Sequence, residues 1–266
     1  MKTILAFLRA NWLTATSYRI DLVISLVSLA AAAVPLYFIA GALQPLMAES
    51  IRSEGGQYFG FALVGLITYS YLGVAVNSIS NGLAKSIGSG TIEAFLVAPS
   101  SLPAILVGFA GYDLIWTTLR AVVFLGTGVI LGARIAPAGM PAAVLILVLT
   151  VLAYVPLGLM AGALVMAFRT TGPFPKAIFA ASALLGGVYY PTHVIPSWIE
   201  RLSQVIPLTY GLRAIRRTLL EGRSLSQVSG DVMVLVAMSV LLFAIAVPLF
   251  RTALAAARRR GTLAHP

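Results

Sequence analysis

The sequence predicts an all-α integral membrane protein. It has six transmembrane helices, an amphipathic interfacial helix at the amino terminus, and an external re-entrant helical hairpin between helices 5 and 6. Three observations carry this expectation. Hydrophobic residues make up 59% of the chain and charged residues only 10%, whereas about a quarter of a soluble domain is charged. Uncharged runs such as Leu22 to Ala48 and Gly55 to Ala84 exceed the ~20 apolar residues that a helix needs to cross a bilayer. The basic residues stand at the ends of these runs, as the inner flanks of membrane spans require.

The net charge of +10 therefore reads as membrane topology. No aromatic-basic platform accompanies it, so nucleic acid is not an expected partner. Cysteine is absent, which excludes disulfides, thiolate catalysis and cysteine-held metals. His193 and His265 stand far apart and form no metal-ligand spacing. No G-x-x-x-x-G-K-[ST] segment occurs, so the chain carries no P-loop ATPase of its own.

Residues 1–18 repeat apolar Ile4, Leu5, Leu8, Trp12 and Leu13 at helical spacing, with Lys2 and Arg9 on another face. This predicts a helix lying in the headgroup layer. The first span follows from Leu22. Ala31-Ala32-Ala33 imitates a cleavage site, but the apolar run continues to about Leu43, which favours an uncleaved span. Glu49, Arg52 and Glu54 form a short outer loop. The second span is apolar from Tyr58 to Val76, after which Asn77, Ser78, Ser80, Asn81 and Gly82 bring the chain inside.

Residues 81–103, NGLAKSIGSGTIEAFLVAPSSLP, form a polar insert between spans. Thr91 is placed to cap a short helix, and Glu93 in its first turn suits the helix dipole. Ile92, Phe95 and Leu96 form one apolar face. Such a helix either enters a groove on a partner or lies on the membrane surface; its local chemistry does not choose between them.

The third span, Ala104 to Ala133, contains Asp113 and Arg120. They are seven residues apart, hence on one face and about 10 Å apart along the axis. A charge at mid-bilayer costs at least about 2.5–3.5 kcal/mol. The pair therefore belongs either on a translocation path or against polar groups of neighbouring helices. Gly128-x-x-x-Gly132 and, in the fourth span (Ala142 to Phe168), Gly158-x-x-x-Gly162 offer close helix packing. Pro156 is a kink position.

The fifth apolar run, Ala177 to Tyr190, is short for a crossing. Residues 191–223 are punctuated by Pro191, Pro196 and Pro207. Ser197 and Glu200 have capping-box spacing, opening a helix with Trp198, Ile199 and Leu202. Thr209 is placed to cap a second helix, in which Leu212, Ile215 and Leu219 face one way and Arg213, Arg216 and Arg217 another. Gly222 is its stop. Both helices are too short to cross, which predicts the hairpin. The last span is Val232 to Phe250, followed by Arg251 and Arg258-Arg259-Arg260.

The charge rule places both termini in the cytoplasm. Lys2, Arg9, Arg19, Lys85, Arg169, Lys176, Arg251, Arg258, Arg259 and Arg260 are then inside, and only Arg52 and Arg134 lie in the short outer loops. Arg201, Arg213, Arg216, Arg217 and Arg223 in the hairpin depart from the rule, which governs short flanking loops.

Two stretches resemble a known family. GSGTIEAFLVAPSS (Gly88 to Ser101) is similar to the segment between the second and third spans of the membrane subunit of ABC-2-type transporters. GGVYYPTHVIPSWIERLSQVIPLTYGLRAIRRTLLEG (Gly186 to Gly222) is similar to that family's region from the fifth span through its external hairpin. The resemblance covers almost the whole chain as a single transmembrane domain of a multi-pass cell-membrane protein. It implies pairing with a second copy or a related permease, and docking to a separate cytoplasmic ATPase. That partner binds the ATP and Mg, and this chain brings no cofactor and no catalytic residues. By analogy Thr91, Ile92, Glu93, Phe95 and Leu96 dock the ATPase. Pro191, Pro196, Trp198, Pro207, Tyr210 and Arg213 belong to the hairpin that closes the outer end of the path. Export of an amphipathic drug, lipid or glycan-like substrate is the implied activity.

Two other classes compete. An ATP-independent secondary transporter or channel suits the membrane charges, but no inverted repeat is visible. An intramembrane enzyme needs a histidine or a cluster of acids within the membrane, and none is found. Tyr69, Tyr71, Tyr112, Trp116, Tyr154, Tyr189 and Tyr190 are candidates for lining a path, although membrane aromatics more commonly serve packing.

Overall fold

The structure, a computed structural model, describes residues 19–88, 102–168 and 172–259. The expected interfacial helix and the docking residues Thr91, Ile92, Glu93, Phe95 and Leu96 lie outside the described residues. What is described is helical apart from short turns. In order the helices are α1 (Arg19–Met47), α2 (Tyr58–Gly88), α3 (Leu102–Ile130), α4 (Met140–Phe168), α5 (Phe174–Leu185), α6 (Ser197–Ser203), α7 (Pro207–Leu219) and α8 (Ser229–Arg259).

Five of these, α1, α2, α3, α4 and α8, are long and apolar enough to cross a membrane. The fifth apolar run makes only the 12-residue α5, about 18 Å long at 1.5 Å per residue against a ~30 Å hydrocarbon core. Gly187 breaks it, at a φ of 80° that an L side chain rarely adopts, and Pro191 follows. The chain thus has five bilayer-length helices and one short one.

Helix α2 is the axis of the bundle, with α1, α3, α4, α5 and α7 packed around it. α8 packs on α4 and α7 from the far side. The α2–α4 contact is close: a Cβ on Gly158 would lie 2.3 Å from the Ala75 carbonyl oxygen. Only a glycine admits that approach, as the small-residue spacing predicts. Gly162, one turn on, packs against Leu83, Ile79 and Phe250. Outward, α1, α3 and α8 present broad apolar faces, with Phe38, Val122 and Val240 all more than 60% exposed. Such a surface is untenable in water and ordinary against lipid or a partner helix.

Several boundaries differ from expectation. α2 does not end at Val76 but continues through its polar stretch to Gly88. The hydroxyls of Ser80 and Ser86 donate to the carbonyls of Val76 (3.3 Å) and Gly82 (2.7 Å) four residues back, so these residues satisfy themselves within the helix. α3 begins at Leu102 with Pro103 in its first turn, where the missing N–H has no helical partner to lose. The insert expected at residues 81–103 is thereby shortened at both ends. In the hairpin, Pro196 occupies the position before α6 and Ser197 is already helical, so no side chain caps this helix. Ile206 precedes α7. Thr209 does not cap; its hydroxyl donates to the Ser203 carbonyl (2.8 Å) and ties α7 to α6. The capping box lies instead at Ser224 and Gln227, before α8.

Candidate functional site: a polar cavity within the bundle and a buried arginine

Asp113 and Arg120 are brought together. Both line one open cavity of about 550 Å³ bounded by α1, α2 and α3. They occupy one face of α3, as their spacing requires. The Ser78 hydroxyl of α2 donates to Asp113 Oδ2 at 2.5 Å. Arg120 Nη2 donates to Ser25 Oγ of α1 at 3.2 Å, and its guanidinium lies 5.1 Å from the Trp116 ring centroid. Among the described residues neither charge forms an ion pair. Of the aromatics considered for a path, Trp116 lines this cavity. Tyr69 stacks on Phe179, with centroids 4.0 Å apart, and donates to its carbonyl (3.0 Å). The Tyr154 hydroxyl bonds Ser182 at 2.8 Å, and Tyr190 donates to the Leu184 carbonyl. These three fasten α5 or the turn after it. Tyr71 joins α2 to α3 through Thr118 (3.0 Å). The structure describes no hydrogen bond or ring contact for Tyr112.

The second site was not foreseen. Arg216 of α7 is 2% exposed, with Glu54 of the α1–α2 turn opposite it at 3.1 Å. Its three guanidinium nitrogens also reach the carbonyls of Phe61 (3.1 and 3.2 Å), Gly187 (2.9 Å) and Val188 (3.0 Å). The Phe61 ring covers its other side, 3.3 Å from the guanidinium carbon. Burial pulls this group down to about 10, and the Glu54 carboxylate opposes that shift, so it remains charged at neutral pH. One side chain thereby joins the α1–α2 turn, the start of α2, the break after α5, and α7. Sequence reasoning grouped Arg216 with Arg213 and Arg217 on a polar face. The pattern Leu212, Ile215, Arg216, Leu219 is a buried stripe with one arginine in it, and that was the available signal.

The hairpin residues are spread over different environments. Pro191 and Pro207 are buried and Pro196 is exposed. Trp198 is 64% exposed. Tyr210 donates to the Gln204 carbonyl at 3.1 Å. Arg213 lies 5.6 Å from the Tyr210 ring centroid, and with Arg217 it shares Asp231 of α8, each at 3.3 Å. Arg223 pairs with Glu221 (2.6 Å). Four of the five hairpin arginines thus face a carboxylate, with Arg213 and Arg217 sharing one. Among the described residues no ion pair involves Lys85, Lys176, Arg251 or Arg259 at the other end of the bundle.

α7 runs antiparallel to α4. Thr218 abuts Gly139 near the start of α4 and Gly211 abuts Thr150 further along. At the other end of α7, Leu208 packs with Leu72 and Tyr154, well inside the bundle.

No curated protein matches the sequence. The family model described as ABC-2 type transporter matches residues 2–220, which takes in α1 through α7 and so both sites. The match covers most of a chain whose helices are long and apolar enough to span a membrane, and the chain belongs to the ABC-2 type transporter family as a membrane-embedded permease.

Proposed function

We propose that this chain is the permease subunit of an ATP-driven exporter, paired with a second copy or a related permease and coupled to a separate cytoplasmic ATPase that binds the ATP and Mg. The observation that carries this reading is the cavity between α1, α2 and α3 that holds Asp113 and Arg120, placed within membrane-spanning helices of an ABC-2 permease. A structural membrane anchor has no use for a carboxylate and a guanidinium that form no ion pair among the described residues in such a place. Both termini and the segment between α2 and α3 face the cytoplasm. Lys85, Lys176, Arg251 and Arg259, free of ion pairs among the described residues, support that orientation. α6 and α7 then form a re-entrant hairpin entered from the outer face, and the Glu54–Arg216 pair anchors it to the α1–α2 turn.

The test is reconstitution. Purified permease and its ATPase should export only with ATP, and the permease should raise the ATPase's turnover. Substrate flux through the permease alone in ATP-free liposomes would favour a secondary transporter or channel. Glu93→Arg combined with Phe95→Ala is expected to lower ATPase recovery on a sizing column and to abolish coupled transport, with membrane insertion unchanged. Undiminished complex recovery would remove these residues from the docking surface. Arg120→Leu is expected to reduce export or folded yield several-fold, since the cavity loses its only described cation; normal export at normal expression would make that residue dispensable.

A further inference from the structure

The cavity has a polarity gradient, and the gradient specifies a ligand. Along α2 its lining passes from Leu66 and Ile67 through Ser70 to Asn77, Ser78 and Asn81. α3 runs antiparallel and shows the same order in space: Phe124 and Ala121 flank the apolar end, Arg120 and Thr117 come next, and Asp113 stands at the polar end. Leu29 and Ala32 of α1 form the third wall. One end is therefore apolar and the other carries hydroxyls, amides and two opposite charges.

The charges are not spent on each other. Among the described residues Asp113 is held by one serine hydroxyl and Arg120 by one serine and the Trp116 face. Side chains on a helix lean toward its amino terminus. Arg120 lies over Trp116 accordingly, and its guanidinium is carried toward Asp113. The Asp113 side chain leans the same way but is shorter, so the two charges stand closer along the axis than the ~10 Å rise between their Cα atoms. A carboxylate and a guanidinium at that separation complement a group that carries a cation and an anion within a few bonds of each other. Ser70, Asn81 and Arg120 are exposed, so the polar lining is accessible.

We propose that this cavity binds an amphiphile with a zwitterionic head, the anionic group at Arg120 and the cationic group at Asp113, with its hydrocarbon chain against Leu66, Ile67 and Phe124. The assignment deepens the export reading, because it takes this cavity as the place where the exported molecule is held. An amphiphile with one charge satisfies one side chain and leaves the other without a counterion within a membrane span.

The experiment is equilibrium binding to the full chain in nanodiscs of uncharged glycolipid, which needs neither ATP nor the ATPase. A radiolabelled dodecylphosphocholine probe is displaced by unlabelled dodecylphosphocholine, dodecyl phosphate and dodecyltrimethylammonium. The zwitterion should compete at least about tenfold better than either single-charge analogue, the worth of one charged hydrogen bond. Asp113→Asn should erase the preference over dodecyl phosphate alone, and Arg120→Gln the preference over dodecyltrimethylammonium alone. Equal competition by all three compounds on the unaltered protein overturns the proposal, as does an unchanged ranking in both variants. A dihexanoyl phosphatidylcholine arm separates the two sources of such a head. Competition by it points to a bilayer lipid, and competition by the single-chain compound only points to a soluble amphiphile; either result upholds the head-group assignment. ATP-independent flux in liposomes with the expected ranking intact would refute the exporter reading and leave the site standing.

Discussion

Arg216→Met should cost this protein more than any other single truncation in the hairpin. The substitution keeps a long side chain beside Phe61 but leaves the Glu54 carboxylate buried without its partner. It also withdraws hydrogen bonds from the carbonyls of Phe61, Gly187 and Val188. Breaking one side of a buried ion pair costs about 3–5 kcal/mol, most of it the charge left behind. The expected result is a lower apparent unfolding midpoint, followed through tryptophan fluorescence, and a loss of monodisperse protein after extraction. Glu54→Gln should be milder, because an amide oxygen still accepts from the guanidinium. Combining Arg216→Met with Glu54→Leu should recover part of the loss, and the recovered part measures the coupling between them. A midpoint equal to that of the unaltered protein in Arg216→Met would show that the arginine holds nothing together. Gly65 provides a second route to the same joint: a Cβ there would lie 2.4 Å from the Val188 carbonyl oxygen and 2.8 Å from Arg216 Nη2.

Gly158→Val is the second large effect. The obstacle is backbone: the Ala75 carbonyl oxygen at 2.3 Å and that of Val76 at 3.3 Å from the new Cβ. A flexible side chain can swing aside, whereas a carbonyl in mid-helix moves only with its helix. Overpacking of this kind costs about 1–3 kcal/mol and more where nothing yields. Displacement of α2 also displaces Asn77, Ser78 and Asn81, the polar wall of the cavity. Transport should therefore fall further than yield does. Gly41→Ala is the control, since no atom lies within 4 Å of its Cβ position, and it should leave both unchanged. Equal yield and equal transport for Gly158→Val and Gly41→Ala would show that α2 and α4 are not in close contact.

Much of the path to these sites was legible in the residues. The apolar runs located all five bilayer-length helices, α1, α3 and α4 to within three residues at each end, and the seven-residue spacing of Asp113 and Arg120 put both on one face of α3. What failed were local rules applied to polar residues. Asn77 to Ser86 read as the end of a span because serine and asparagine are poor helix formers, yet a serine hydroxyl that bonds back one turn is at home in a membrane helix. Ser197 and Thr209 fit capping patterns that start a residue or more away from where the prolines start the helices. The short apolar run before Gly186 left its crossing open; it forms the 12-residue α5, and Gly187 at positive φ follows its end.

The sequence by itself determined that this chain needs lipid, that its hairpin segments are too short to cross, and that two opposite charges share one helix face. Those properties depend on composition and on spacing along a single helix, which the residues state directly. Tertiary structure alone decided that Arg216 is buried and Arg213 is not, that Glu54 of a distant turn is its partner, and that the polar end of α2 meets the polar end of α3 in one cavity. Glu54 and Arg216 stand 162 residues apart in the chain. Burial of a charge is settled by what other elements bring to it, and no local pattern carries that information.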